Sequence, residues 1–395
     1  MQTCGLLRDF ADAKLVIYVC ARLRTPNADA LGIVAPRSVV FENVLLEVLL
    51  LSKQCRRKPE VRKARPERSE GNARIKRKIK MKYRGHETFS IRKNWLAKGI
   101  EAVQKNPGIF TDKTLEPMDE LGIGRNMVVS LRYWMKAVGL TKEEKGKESK
   151  KTETSFTPLG KIIYEHDKFV EEAGTLWLLQ NELAANRENA TSWYFFFNEF
   201  NLTEFTKDDF VTELLKFDKG NGGSTALSSF DSDFECIVNT YVSRFKNAAE
   251  IDPEDNIESP FAELGLVDSI GSGKKLYRKV IPPKQNIPPL IFLASLYRMC
   301  EKNEDGGAKL EYKNFEIPLS DIQNRKNSAG KVFNLDVITL MDILSELETL
   351  NFLKVVRTSG LDVVRLLPWK DFEKVSGGKS AYENCIEKYY GELKK

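Results

Sequence analysis

Apolar residues recur at helical spacing along most of the chain, but not in its first eighty residues. There, short apolar scraps give way to KQCRRKPEVRKARPERSEGNARIKRKIK (53–80), which is basic and unpatterned. From Met81 the pattern is orderly. SIRKNWLAKGIEAVQKN (90–106) predicts a helix capped by Ser90, with Ile91, Trp95, Ile100 and Val103 inward and a stop at Pro107-Gly108. LEPMDELGI (115–123) predicts a second, short helix. LGIGRNMVVSLRYWMKAVGL (121–140) predicts a third, entered through Gly122 and Gly124. The lysine-heavy TKEEKGKESKKTE (141–153) then links short extended segments. Three helices followed by a basic loop of this kind are the plan of a winged helix-turn-helix.

The middle of the chain is dense in aromatics. Trp193, Tyr194, Phe195, Phe196, Phe197, Phe200 and Phe205 crowd thirteen positions; their run is nearly continuous and locally acidic, which favours a buried core over a base-stacking platform. IPPKQNIPP (281–289) reads as a linker. Beyond it, IPPLIFLASLYRMCEKN, FNLDVITLMDILSELETLNFLKVV and RTSGLDVVRLLP repeat the order helix, helix, hairpin. Asp336, Asp342, Glu346 and Glu348 make that module acidic, so it suits a protein partner better than DNA. The expected fold is mainly α, with tandem winged helix-turn-helix modules and small β-hairpin wings around an aromatic-rich helical middle. The expected divisions are a basic extension (1–80), a DNA-binding winged module (81–170), the helical middle (171–285), a second winged-helix-like module (286–375) and a tail helix (376–395).

Charge sharpens this picture only when counted by segment. The chain of 395 residues carries a net +6, but residues 1–80 alone hold 18 basic against 8 acidic side chains. Residues 81–151 sum to +6 and residues 152–395 to −10, so within the patterned part only the segment after Met81 suits a phosphate backbone. The extension has two readings, a basic nucleic-acid arm or an upstream stretch translated from an early start. The lack of any patterned element and the repeat-like ARPERSEG favour the second, with Met81 as the natural first residue. Cys4, Cys20 and Cys55 lie in the extension and Cys236, Cys300 and Cys385 are far apart, which excludes a zinc knuckle or disulfide framework. The longest apolar run, VLLEVLLLS (44–52), is too short to span a membrane, and the basic run follows it rather than preceding it as in a secretory signal. The expected setting is the bacterial cytoplasm.

Gly122 and Gly124 do not make a dinucleotide site, because Met127 stands where the third glycine is needed. GSGKK (271–275) and SGGKS (376–380) do not complete a P-loop. A helix-turn-helix remains. Val128, Leu131, Met135 and Val138 form an inner stripe, and Arg125, Val129, Arg132 and Lys136 an outer one. Arg125 and Asn126 fall in the first turn, where side chains and free N–H groups can meet phosphates or base edges. The expected DNA contacts are Lys82, Arg84, Arg92, Lys93, Arg125, Asn126, Ser130, Arg132, Lys136, Lys145, Lys147, Lys150 and Lys151. A solvated cationic face is the bland alternative.

For chemistry the candidate is His86 with Glu87, in KYRGHETFSIRKNW (82–95), as a proton-transfer pair or part of a metal site. Neighbours on an extended chain point to opposite faces, so a structural or binding role competes. His166, in YEHDKF, reads as a helix-surface residue, and two histidines in all exclude a His-rich zinc site. A nuclease would have to hold Mg²⁺ or Mn²⁺ on carboxylates. Asp231, Asp233 and Glu235 are one such cluster, although Asp231 reads first as the N-cap of the helix that follows.

Four blocks, GHETFSIRKNWLAKG, LGIGRNMVVSLRYWMKAVGL, FTPLGKIIYEHDKFVEEAGTLWLLQNEL and WYFFFNEF, resemble in order a bacterial family known as a conserved domain of unknown function. The resemblance covers Met81 to about Leu367 and leaves residues 1–80 outside. Members stand beside genes for DNA phosphorothioation, in which sulfur replaces a non-bridging phosphate oxygen, and in phage-defence islands. The resemblance implies a role like that of the B component of single-strand (Ssp-type) systems, a DNA nickase. Implied partners are DNA, a cysteine desulfurase, an ATPase and an ATP-pyrophosphatase-like protein, with no membrane; homo-oligomerisation stays open. The rival reading is a non-catalytic winged-helix DNA-binding adaptor or transcriptional regulator of the same system.

Overall fold

Trp95–Lys105 forms helix α1, starting later than its apolar spacing predicts. Asn94, not Ser90, is its N-cap, at φ 67° and without a side-chain cap bond. Ile91 and the inner face Trp95, Ile100 and Val103 are buried. Pro117 opens the short helix α2 (Pro117–Leu121), and Gly122 closes it at φ 61°, returning its N–H to the Met118 carbonyl, the left-handed stop that glycine permits without strain. Gly124 leads into α3 (Arg125–Ala137). Val128, Leu131, Met135 and Val138 are all buried, so the 3.6-residue stripe faces the core as its spacing requires.

The computed structural model describes residues 81–145, 151–243, 258–270, 275–301, 315–358, 361–367 and 380–394. All fall in the second of two units into which the chain divides, Arg77–Lys395. The extension 1–80, and with it the choice between its two readings, lies outside the described residues.

After α3 come strands β1 (Thr141–Lys145) and β2 (Thr152–Phe156), paired antiparallel from Thr141↔Phe156 to Lys145↔Thr152. Helix α4 (Pro158–His166) is capped by Thr157, whose Oγ1 accepts from Gly160 N–H and donates to the Gly139 carbonyl at 2.6 Å. A Cβ on Gly160 would lie 2.0 Å from the Leu140 carbonyl oxygen, so α4 seats directly on the base of the hairpin.

Helices α5 (Ala173–Ala185) and α6 (Thr191–Asn198) are buried nearly all round and sit in the middle of the core. The seven aromatics from Trp193 to Phe205 are all buried. Strand β3 (Glu204–Phe205), helices α7 (Lys207–Gly220) and α8 (Leu227–Tyr241), and strands β4 (Val267–Ile270) and β5 (Leu276–Lys279) complete this region. β5 lies between β3 and β4 in an antiparallel sheet. Then follow α9 (Pro289–Glu301), β6 (Glu316–Pro318), α10 (Leu319–Asn324), α11 (Ala329–Val332), α12 (Val337–Thr349), β7 (Leu353–Thr358) and β8 (Leu361–Leu366). Here β8 is the central strand, with β6 and β7 at its sides. Helix α13 (Ala381–Leu393), with a Ser380–Glu383 capping box, does not stand apart as a tail. Its Tyr389 hydroxyl accepts from Gly174 N–H, and its Tyr390 hydroxyl pairs with Thr175 at 2.6 Å.

The molecule is mainly helical with small antiparallel sheets. Among the described residues no helix is long and apolar enough to cross a membrane.

Candidate nucleic-acid interface

Just before α1, Arg84, Glu87 and Thr88 have φ of 51, 48 and 70°, conformations that cost a non-glycine residue about 1 kcal/mol or more each. Two acceptors hold them. Asp233 of α8 is fully buried; its Oδ1 accepts from Arg84 N–H at 2.8 Å and lies 2.8 Å from His86 Nε2, while its Oδ2 accepts from the Ser192 hydroxyl of α6 at 2.5 Å. The Phe89 carbonyl is the second, receiving Trp134 Nε1–H at 3.1 Å, Ser130 Oγ–H at 3.5 Å and the Cys236 thiol at 3.6 Å. At Gly85 a Cβ would approach the Tyr133 ring to 2.5 Å. The GHETF block thus joins α3, α6 and α8.

His86 and Glu87 therefore do not come together. The imidazole is buried among Tyr133, Trp134 and Trp193, whereas Glu87 is exposed. Among the described residues, the enclosed His86 Nδ1 and Trp193 Nε1 have no protein partner, and their rings stand 5.7 Å apart. Ser130 is also turned inward and fully buried, because its position falls on the inner side of α3. The N-cap expected at Asp231 is corrected as well: α8 begins at Leu227 after an Ala226 cap, which leaves Asp231 inside the helix. There it shares Lys207 with Glu235, at 3.2 and 3.4 Å, while Asp233 faces the core.

The outer side of α3 carries Arg125, Asn126 and Val129, all exposed. Arg132 and Lys136, one and two turns on, meet Glu143 of β1. Arg132 donates to it from Nε at 2.7 Å and from its terminal nitrogen at 2.9 Å, and Lys136 Nζ lies 3.3 Å away. The Arg132 bond holds the Glu143 carboxyl below its usual range, and the same bond raises the guanidinium. Lys82 and Arg84 are exposed; the Lys82 backbone N–H is tied to Thr191 Oγ1 at 2.8 Å and its ammonium stands 5.1 Å from the Tyr133 ring centre. Arg92 is half-buried over the Phe89 and Trp95 rings, and Lys93 is exposed.

Lys145 is exposed at the end of β1. Lys151 reaches Asp112 at 3.0 Å, and Asp112 is drawn down to about 2 by the Thr114 N–H first and Lys151 second. Lys147 and Lys150 lie outside the described residues. Two residues act here in roles that the sequence does not signal. Glu143 reads as one more loop acid, and Asp233, which reads as a candidate metal carboxylate, is separated from its partner His86 by 147 positions.

His166, at the end of α4, is stacked on Tyr390 with centres 5.1 Å apart and planes at 3°. Its donor atoms and those of Glu165 and Glu387 lie within 4.8 Å of one another, but Lys394 Nζ stands 3.2 Å from Nδ1. Mg²⁺ takes oxygen ligands at octahedral geometry, so an imidazole beside an ammonium does not fit it. The Asp231–Asp233–Glu235 set does not fit either, since its members point to opposite sides of α8.

The sequence model of a family described as a protein of unknown function (DUF4007) matches residues 83–390. Two solved structures share the fold. A magnesium ion-bound SspB crystal structure has a TM-score of 0.65 at 23% identity, covering 79% of this chain and 89% of that one. An SspB crystal structure has a TM-score of 0.63 at 23% identity, covering 80% and 96%. No curated protein sequence matches the chain.

Proposed function

The chain belongs to the DUF4007 family, and from that premise we propose that it is a DNA-binding component of a bacterial DNA phosphorothioation and phage-defence system. The observation that carries the reading is the outer side of α3: Arg125, Asn126 and Val129 exposed at the start of a helix whose inner stripe is fully engaged. Gly124 makes no side-chain cap, which leaves first-turn N–H groups open to an anion. We read α1, α2, α3 and the β1–β2 hairpin as a winged helix-turn-helix within 81–170, and α9 to β8 as a second within 286–375, flanking the helical middle. In this reading α3 enters the major groove, Lys82 and Arg84 follow the phosphates, and the hairpin lysines meet the backbone beside the groove. The acidic α12 meets a protein: a cysteine desulfurase, an ATPase or an ATP-pyrophosphatase-like component. The setting is cytoplasmic.

Anisotropy of a labelled duplex across a salt series tests this. Arg125→Ala lowers affinity about fivefold to tenfold and the salt slope by about one; equal affinity and slope would remove α3 from the interface.

A second reading is favoured by the fold shared with SspB: nicking, the activity implied by the sequence resemblance, with Mg²⁺ or Mn²⁺ as the ion. Buried His86 then positions the GHETF block and does not meet the phosphodiester. Supercoiled plasmid incubated with the protein and either ion yields open circles if it nicks. If circles form, His86→Ala abolishes them only together with fold stability, whereas loss of nicking at unchanged stability would restore His86 as a reacting group.

A further inference from the structure

Large apolar side chains are exposed at ten positions among the described residues, and four of these, Leu202, Ile281, Val337 and Ile338, belong to three segments that meet. The Thr203 carbonyl accepts from Lys279 N–H at 2.8 Å, continuing the β3–β5 pairing toward Leu202 and Ile281. Against this junction lies the turn that leads into α12. Lys331 Nζ reaches the Asn201 side chain at 3.2 Å, and the Asn334 side chain donates to the Val280 carbonyl at 2.7 Å. The chain after Val280 then runs along α12, since Lys284, in the 3-10 turn Lys284–Asn286, pairs with Glu346 at 3.2 Å. Ile281 is thereby set beside the first turn of α12, where Val337 and Ile338 stand; Ile338 is 72% exposed. Single apolar residues on a surface need no explanation, whereas a gathered patch marks an interaction site.

The start of α12 differs in chemistry from the start of α3. Both helices precede a β-hairpin, and in both the first two positions after the N-cap are exposed. In α3 these are Arg125 and Asn126, behind a cap with no side-chain bond. In α12 they are Val337 and Ile338, and the Asp336 cap accepts from Thr339 N–H at 2.8 Å. A carboxylate therefore sits where an anion would dock, and the aliphatic surface beside it suits another protein.

The charges around the patch indicate which protein. Burial, and then the charge of Lys331, lower the pKa of Lys279, so two amines stand close together on the α11 side of Ile338. Lys331 has no carboxylate partner among the described residues. One turn further along α12, on the other side of Ile338, Asp342 is exposed and has no hydrogen bond or ion pair among the described residues. An unbalanced cation and an unbalanced carboxylate thus flank the apolar centre.

We infer that this patch is the contact between two copies of this chain, related by a two-fold axis near Ile338. A two-fold interface must be complementary to itself. Antiparallel α12 helices crossing at Ile338 lay Ile281, Val337 and Ile338 of one copy on the same residues of the other, and set Asp342 of each copy toward the partner's Lys331. Two ion pairs then close the rim at opposite ends of an apolar centre. The pairing is independent of the DNA-binding reading. It uses the first turns of α12 and leaves Glu346 and Glu348 to the protein partners considered there.

Sedimentation velocity of the full chain across the micromolar range tests the assignment, and a dimer that dissociates on dilution is expected. Ile338→Asp, at a position too exposed for folding to need it, weakens the dimer about 100-fold and leaves the circular dichroism spectrum unchanged. Lys331→Glu and Asp342→Lys each weaken self-association about tenfold, because each then faces like charge across the axis. Mixed in equal amounts, these two variants form a heterodimer about as tight as the unsubstituted dimer, since both contacts join opposite charges again. Mixing does not rescue a merely structural defect. A monomer at every concentration would give the patch to a different protein and overturn the pairing. A dimer that ignores Ile338→Asp, or a mixture no tighter than its separate variants, would overturn it equally.

Discussion

Asp233 receives three donors in a place without solvent, and removing it would strand all of them. Asp233→Ala leaves Arg84 N–H, His86 Nε2 and Ser192 Oγ without an acceptor, at an expected cost of about 3–5 kcal/mol in denaturant unfolding. Asp233→Asn, which keeps both heavy atoms in place, should cost clearly less. A second residue gives a pH signature. Lys279 donates to the Phe196 and Phe200 carbonyls at 2.6 and 2.5 Å, with its stem partly exposed and its nitrogen over both rings. Burial, assisted by the charge of Lys331, lowers its pKa to about 7. Between that value and the unfolded value of about 10.4 the unfolded chain holds a proton that the folded chain lacks, so stability rises with pH across this window. Below pH 7 both states are charged and the folded state carries the full desolvation penalty. Unfolding of Lys279→Met, followed from pH 6 to 10, should lack that rise; an unchanged slope would show that the nitrogen is solvated.

Among the elements, β1 is the one that sets how much of α3 is available. Glu143 occupies both donor arms of Arg132 and draws in Lys136, so in the free protein only the first two turns of the helix present unpaired groups. Glu143→Gln should therefore tighten duplex binding and steepen its salt dependence by about one to two counterions. Weaker binding would mean that Glu143 buttresses Arg132 instead of competing for it. The hairpin owes its position to the contact of α4 with the Leu140 carbonyl. Gly160→Ala, which places a Cβ 2.0 Å from that oxygen, should cost about 2–3 kcal/mol in thermal or denaturant unfolding, with a parallel loss of duplex binding as the hairpin shifts.

At the scale of the molecule, charge is segregated along the chain and binding should follow it. In the proposed reading the net charge of −10 over residues 152–395 disfavours a polyanion there, so that within the patterned part the region around α3 and the hairpin is where a duplex is expected. The aromatic middle, with Phe196 and Phe210 fully buried, joins the early and late elements through one continuous apolar core. Helix α13, late in sequence, packs against the start of α5, so truncation before Ser380 should expose Gly174 and Thr175 and lower the melting temperature of the whole unit, not of a separate tail.

Local pattern was enough for much of this. The inner stripe of α3 and the burial of the aromatic run follow from the periodicity of apolar positions, and the family resemblance from ordered blocks of neighbouring residues. The cap of α1, the cap of α8 and the inward turn of Ser130 were misread from local propensity, because Asn94, Ala226 and the packing of the GHETF block decided them. What only tertiary structure settled were pairings between separate elements: His86 with Asp233, Arg132 with a strand residue, Thr175 with Tyr390. Such contacts carry no periodicity. They arise when elements already formed are pressed together by burial, and which polar groups then meet depends on the angle between surfaces, which a linear pattern does not contain.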